Sequence, residues 1–245
     1  MKLCLNKKFP INLNNLLYEF IKEEKRGNSM DMAARLINLW KPEKSLKVSF
    51  DNNADPKLIE EILFVANEWS RHCSMFFIGE KKYELSDIYI SLKKGFGFYS
   101  AVGLQSKVFI AKNKPSMNLD PNWGLESGFS TRKEFKYRYC KSMVMHEFGH
   151  ALGLIHEHQR EDRPFSINAK YVKNNFEKLG MPSYDAAKEN IIKTYKNINV
   201  SRSRFDYKSI MIYPLTKNVI LENFKIDIPY NLSKIDKIKI GKIYP

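Results

Sequence analysis

The stretch HEFGHALGLIHEHQREDR, residues 146–163, contains four of the five histidines in the chain. His146 and His150 are four residues apart, so on a helix both imidazoles project from one face and can reach a single cation. Glu147 follows the first histidine and is rotated from it by about 100° around the helix. Its carboxylate can therefore take a proton from a water molecule on the metal without being a ligand itself. This spacing predicts two ligands of a zinc site and a general base.

A third ligand has to come from the chain beyond this helix. Gly153 stands three residues after His150, where a residue in the left-handed conformation can end the helix and turn the chain. His156 would then swing back to the same cation. Because three imidazoles leave the fourth position of a tetrahedral zinc ion open to water, the pattern predicts one catalytic Zn²⁺. His158, beside an acidic residue, is expected in a solvated patch, and neither it nor His72 is expected to be a ligand.

The pattern H-E-x-x-H-x-x-G-x-x-H is typical of metzincin proteases, and the residues that follow it resemble the astacins. In that family the third histidine is followed by Glu, then by an Arg and an Asp-Arg pair. Here Glu157, Arg160, Asp162 and Arg163 occupy those places. A second match is SIMIY at residues 209–213, which is similar to the astacin Met-turn.

This resemblance implies a zinc-dependent metalloendopeptidase, in which Glu147 activates a zinc-bound water to hydrolyse peptide bonds in proteins. The implied fold is of the α+β class, with a strand-rich upper half, a helical lower half and the active-site cleft between them. By the same resemblance Met211 would lie beneath the zinc ion. Tyr213 would be an additional zinc ligand that swings away to stabilise the oxyanion of the transition state. The family binds extended substrates by β-addition to an edge strand, which Lys107–Lys112 would supply here.

The chain departs from the usual astacin pattern at several points. It shows no Sec-type signal, no cysteine spacing suited to a disulfide framework and no Phe-x-Gly-Asp latency motif. These features favour a cytoplasmic location, or export by a route without a cleavable signal peptide. In astacins the glutamate after the third histidine is linked to the N-terminus that pro-segment removal creates. We therefore expect Glu157 to bond within its own domain instead, to Arg160 or Arg163.

Strand patterns precede helix patterns along the chain, which indicates α+β architecture. Helical spacing over residues 13–27 predicts an N-terminal helix, so the chain divides into a helical extension at 1–40 and an astacin-like catalytic domain at 41–245. Within that domain, strands are predicted at 45–50, 74–78, 87–92 and 107–112. Helices are predicted from Asp55 to Trp69, from Arg132 to about Leu152 behind a capping box at Thr131 and Glu134, from Tyr171 to Leu179, from Tyr184 to about Tyr195, and after a capping box at Ser233 and Asp236.

Composition leaves two other classes of function to weigh. The 245 residues carry 41 Lys and Arg against 27 Asp and Glu, a formal charge of +14, which would suit an acidic protein substrate or a nucleic acid. The lysines are scattered without a nucleic-acid-binding motif, so no nucleic-acid partner is expected. The other alternative is a catalytically silent zinc-containing binding protein of the same fold. The presence of Glu147 and Tyr213 argues against it, because a scaffold needs neither. No apolar run is long enough to span a membrane, and we expect a monomer acting on protein or peptide substrates.

Overall fold

The computed structural model of the protein describes residues 38–121, 133–195 and 204–245, with the backbone alone for residues 133–139. The predicted helix at 13–27 and the predicted capping residue Thr131 lie outside the described residues. The described ranges form a mixed structure in which a sheet packs against helices, as the α+β prediction requires. Across these ranges, no helix combines the length and the apolar character that crossing a membrane would take.

The described sheet consists of strands β1 (Ser45–Phe50), β2 (Phe76–Gly79), β3 (Ile88–Ser91), β4 (Tyr99–Ser100) and β5 (Met117–Asn118). Their order across the sheet is β2-β1-β3-β5-β4. β1 runs parallel to β2 and β3, and β5 runs parallel to β3. β4 is the antiparallel strand at one edge. Because the central strands are covered by helices, Leu46, Val48, Ile88 and Ile90 are fully buried.

The α-helices of the described residues are α1 (Pro56–Ala66), α2 (Gln105–Ile110), α3 (Lys133–Ala151), α4 (Ala169–Asn175), α5 (Tyr184–Ala187) and α6 (Lys234–Ile243). α1 begins where predicted, because the side chain of Asp55 accepts a hydrogen bond from the backbone amide of Lys57. α6 begins with the predicted capping box, in which Ser233 and Asp236 each bond to the other's backbone amide. A 3₁₀ turn at Glu157–Gln159 and a π-helical turn at Lys188–Ile192 complete the elements around the site.

The predicted strand at Lys107–Lys112 is wrong, because this segment lies largely within helix α2. The short run Val-Phe-Ile-Ala has the residue types of a strand, but the burial of this segment follows the spacing of a helix. Ser106 and Ile110, four residues apart, are both buried on one face. The Lys107 ammonium bonds to the Asp87 carboxylate at 2.6 Å. The segment therefore offers no edge for β-addition, and the edge strands of the described sheet are β2 and β4.

Two hydrophobic cores meet at the segment that the sequence identifies as a Met-turn. The first core joins the sheet to α1 and α3, and Phe148 of α3 packs edge-on against Phe77 with ring centroids 4.7 Å apart. The second core is formed by α4, α5 and the chain from 205 to 226. Met211 belongs to the first core and Tyr213 to the second. The histidine cluster is therefore held at the junction of the two cores.

Candidate metal centre

Helix α3 carries the first two histidines of the cluster. His146 and His150 are 2% and 0% exposed, and their ring centroids are 4.8 Å apart, as expected for residues four apart on a helix. The Nδ1 atom of His146 lies 2.7 Å from the carbonyl oxygen of Ile210, and that of His150 lies 2.8 Å from the carbonyl oxygen of Leu154. Since a carbonyl can only accept, each Nδ1 donates its hydrogen and each Nε2 keeps a lone pair.

The third histidine reaches the same point through the turn after α3. Gly153 has φ +92°, the left-handed conformation expected of it, and a side chain there would also meet Leu39 at 2.6 Å. The turn returns His156 to the cluster, where its Nε2 lies 3.1 Å from Nε2 of His150 and 3.2 Å from Nε2 of His146. His156 is fully buried. Its Nδ1 lies 3.0 Å from Oε1 of Gln159.

The three imidazoles fit a tetrahedral zinc ion. Ligand nitrogens about 2.0–2.1 Å from a tetrahedral centre are about 3.3 Å from one another, which is close to the Nε2 separations found here. Burial lowers the pKa of His146 to about 4 and that of His150 to about 3, and it holds the pKa of His156 well below 6.5. The rings are therefore neutral at pH 7, the protonation state that binds metal. Three lone pairs that point at one another repel unless a cation lies between them.

Glu147 and Tyr213 lie beside the histidines. Glu147 is 0% exposed and directly follows His146 on α3. The ring of Tyr213 is 2% exposed, with its centroid 4.1 Å from that of His156 and 6.1 Å from that of His146. The five residues that the sequence predicts for the site are thus gathered in one buried region.

Met211 packs directly against the histidine helix. A Cβ atom added at Gly149 would lie 2.3 Å from the Met211 sulfur and 3.1 Å from the Trp69 ring. Trp69 also donates its indole N–H to the carbonyl oxygen of Met145 at 2.9 Å. The glycine inside the H-E-x-x-H motif therefore lets the Met-turn approach α3 closely. The sequence alone does not show this, because the three contacts join distant parts of the chain.

Glu157 is held by bonds within its own domain. Arg160 donates to its carboxylate at 2.8 Å, as predicted, and the backbone amide of Asp206 donates at 3.0 Å. The ammonium of Lys239, on helix α6, lies 3.4 Å from both of its oxygens. Arg163 contributes elsewhere, by donating to the carbonyl oxygen of His158.

The prediction of a solvated patch around His158 is wrong. His158 is 0% exposed, its Nε2 lies 2.9 Å from the carbonyl oxygen of Asn190, and its ring stacks on Tyr213 with centroids 4.6 Å apart. The acidic neighbour that suggested solvent, Glu157, is itself buried by its ion pairs. Among the described residues, the group close enough to share a metal ion comprises His146, His150 and His156 only.

A three-histidine centre on a long helix and the glycine turn after it, beside a mixed sheet, is the arrangement typical of the metzincin class of zinc proteases. Within that class, residues 137–241 match the model of one family, the Astacin peptidase family. Zinc metalloproteinase nas-6 of Caenorhabditis elegans is 28% identical over 173 residues, 64% of this chain and 40% of that protein. An astacin-like metalloendopeptidase of Coturnix japonica is 33% identical over 115 residues, 42% of this chain and 26% of that protein. The chain thus spans two fifths or less of the length of these curated relatives.

Solved structures show the same fold. A structure of myroilysin is similar with a TM-score of 0.72 at 24% identity, over 86% of this chain and 98% of that one. High choriolytic enzyme 1, a hatching enzyme zinc-protease from Oryzias latipes, has a TM-score of 0.57 at 18% identity, over 89% of this chain and 98% of that one. The expected fold and the expected resemblance to the astacins are confirmed. Of the proteins that this chain resembles, nas-6 is a zinc metalloproteinase and the hatching enzyme is a zinc-protease. The three histidines are the group that would hold one zinc ion here.

The expectation of a cytoplasmic location is wrong. The astacin-type proteins that this chain resembles, the nas proteins and the hatching enzyme among them, are secreted or extracellular. The cysteine content is a poor guide to location, because a domain of this size can bury enough apolar surface to be stable without disulfides.

Proposed function

We propose that this protein is a metalloendopeptidase that hydrolyses peptide bonds in proteins or peptides, with zinc held by His146, His150 and His156. The observation that carries the proposal is that the Nε2 lone pairs of three buried histidines converge on one point. The Nδ1 atom of each ring already donates a hydrogen bond elsewhere. Zinc bound there supplies a Lewis acid that polarises the scissile carbonyl and makes a water molecule easier to deprotonate.

Glu147 is the proposed general base. It would accept the proton of the attacking water and pass it to the leaving amine. Its place directly after His146 on α3 and its complete burial support this role, because the residue adjoins a ligand in the helix and its carboxylate is shielded from bulk water. A surface acid on this helix would have neither property.

Tyr213 is proposed as a further zinc ligand at rest and as a hydrogen-bond donor to the oxyanion during the reaction. The contact of its ring with His156, at a centroid distance of 4.1 Å, supports a place at the edge of the centre. Its stacking on His158 supports a defined ring orientation.

We further propose that residues 41–245 form the catalytic domain and that residues 1–40 are an extension before it. The last residue of that extension, Trp40, packs into the first core and donates its indole N–H to the carbonyl oxygen of Ala151 at 2.7 Å. The formal charge of +14 supports a preference for acidic protein substrates. The protein is proposed to act as a monomer.

The test is cleavage of an unfolded protein substrate by the zinc-loaded chain, with Glu147→Gln beside wild type. The variant is expected to retain zinc and lose about 10²–10⁴-fold in cleavage rate, because the amide cannot accept the proton. Tyr213→Phe should lose less, about 10²-fold at most, since zinc still faces the oxyanion. Glu161→Gln, which neutralises an exposed acid in the same stretch, is the matched control and should cleave as wild type does.

Two results would contradict the proposal. Undiminished cleavage by zinc-loaded Glu147→Gln would remove the assigned base. A wild-type chain that holds one zinc ion and cleaves nothing would favour the alternative, a catalytically silent zinc-containing binding protein of the same fold.

A further inference from the structure

His156 differs from the other two histidines in the group that holds its ring. The Nδ1 atoms of His146 and His150 donate to backbone carbonyl oxygens, whose positions are fixed by the chain. The Nδ1 atom of His156 lies 3.0 Å from the side-chain oxygen of Gln159. The third imidazole of the centre is therefore oriented by a side chain that mutation can remove.

The orientation of the Gln159 amide follows from its other contacts. Its Nε2 donates to the carbonyl oxygen of Glu189 at 2.6 Å and lies 3.4 Å from the carbonyl oxygen of Lys193. Two carbonyls can only accept, so the nitrogen of the amide must face them and its oxygen must face His156. Gln159 is also 0% exposed, so water does not compete for these bonds. The amide thus requires His156 to carry its hydrogen on Nδ1, which leaves Nε2 as the metal-binding atom.

The carbonyls that hold Gln159 belong to the π-helical turn at Lys188–Ile192 and the residue after it. The carbonyl oxygens of such a turn can accept hydrogen bonds from side chains outside it. Side chains from the stretch after the third histidine take up several of them. Gln159 bonds to Glu189, His158 bonds to Asn190, and Arg163 donates to Ile192 at 3.2 Å.

We propose that Gln159 is a positioning residue of the zinc centre, which fixes the tautomer and the ring orientation of His156 and ties both to the π-helical turn. The proposal rests on the proposed function in one respect, that the three histidines hold zinc. Groups that orient a metal ligand in this way typically account for 10–100-fold in metal affinity. Gln159 should therefore affect how tightly zinc is held, in addition to any effect on folding.

The test measures the zinc dissociation constant of the whole chain by competition with a chromogenic chelator. Gln159→Leu removes the acceptor and is expected to weaken zinc binding by about 10–100-fold. Gln159→Glu keeps an oxygen for His156 but loses both donors, so its affinity should lie between those of wild type and the leucine variant. Arg163→Met is the matched control. It removes bonds to the same π-helical turn and to the carbonyl oxygen of His158 without touching His156, and it should bind zinc within about threefold of wild type.

Each outcome decides the question. Equal affinity of Gln159→Leu and wild type would overturn the proposal, as would an equal loss in Arg163→Met, because the effect would then come from the turn alone. Should the leucine variant not fold, a glutamate variant that is folded yet more than 100-fold weaker than wild type would also overturn it. The wild-type chain tests the proposed function separately. If it binds no zinc, both proposals are refuted. If it binds zinc and the Gln159 variants bind zinc equally well, only the proposal for Gln159 is refuted.

Discussion

The Met-turn approaches the histidine helix closely at Gly149. We therefore predict that Gly149→Ala lowers the free energy of unfolding when Met211 is present and does not lower it when Met211 is replaced by alanine. In the wild-type chain the new Cβ would lie 2.3 Å from the Met211 sulfur and 3.2 Å from its terminal methyl carbon. Overpacking of this kind costs about 1–3 kcal/mol. Replacing glycine by alanine inside a helix stabilises the helix by up to about 1 kcal/mol, which offsets part of this cost. The net expectation is a loss of up to about 2 kcal/mol in the free energy of unfolding.

Met211→Ala supplies the matched background, because it removes both of those contacts. Met211→Ala itself should cost about 2–5 kcal/mol. Adding Gly149→Ala to it should then be neutral or stabilising, with only the Trp69 ring at 3.1 Å still to be accommodated. Urea unfolding of the four proteins at saturating zinc gives the coupling energy directly. If Gly149→Ala has the same effect in both backgrounds to within about 0.5 kcal/mol, the proposed contact between Met211 and α3 does not limit residue 149.

Two further predictions concern stability. Gly103 has φ +53°, and a Cβ there would fall 1.8 Å from the backbone oxygen of Asn38, whereas Gly97 has φ +67° with open space around it. Gly103→Ala should therefore cost about 3 kcal/mol or more, and Gly97→Ala only the backbone strain of about 1–2 kcal/mol; equal losses in thermal unfolding would contradict the close approach of residue 38. Burial raises the pKa of the Asp236 carboxyl to about 6, so the folded chain holds that proton more tightly than the unfolded chain does. The contribution of the protonated Asp236 carboxyl to the free energy of unfolding is complete below about pH 4 and is lost as the pH rises through 6. Asp236→Asn lacks this dependence and should gain about 3 kcal/mol relative to wild type between pH 4 and pH 7, as measured by urea unfolding across that range; a constant difference would argue against it.

The sequence predicts those features of the fold that depend on residues close together in the chain, such as helix caps and turns. The turn at Gly153 after the histidine helix, the cap at Asp55 and the capping box at Ser233 all lie where the spacing of residue types places them. Each depends on contacts between residues close in the chain, so each leaves a short pattern.

The errors arise where distant residues decide the outcome. Segment 107–112 has strand-like residues, yet its burial against the sheet and the bond from Lys107 to Asp87 favour a helix. His158 is polar in sequence but is buried under Tyr213. Sequence reasoning misses Gln159 altogether, since its partner carbonyls lie 30 or more residues away. One local signal does point to it, because a glutamine three residues after a ligand histidine can reach back to its ring.

The central claim is that His146, His150 and His156 together bind one zinc ion. The X-ray absorption spectrum of the zinc-loaded chain at the zinc edge tests it most directly. We expect one zinc per chain, with nitrogen or oxygen ligands at about 2.0–2.1 Å and the outer-shell scattering of three imidazoles. A chain that retains no zinc, or zinc whose spectrum shows sulfur at about 2.3 Å or fewer than three imidazoles, would contradict it.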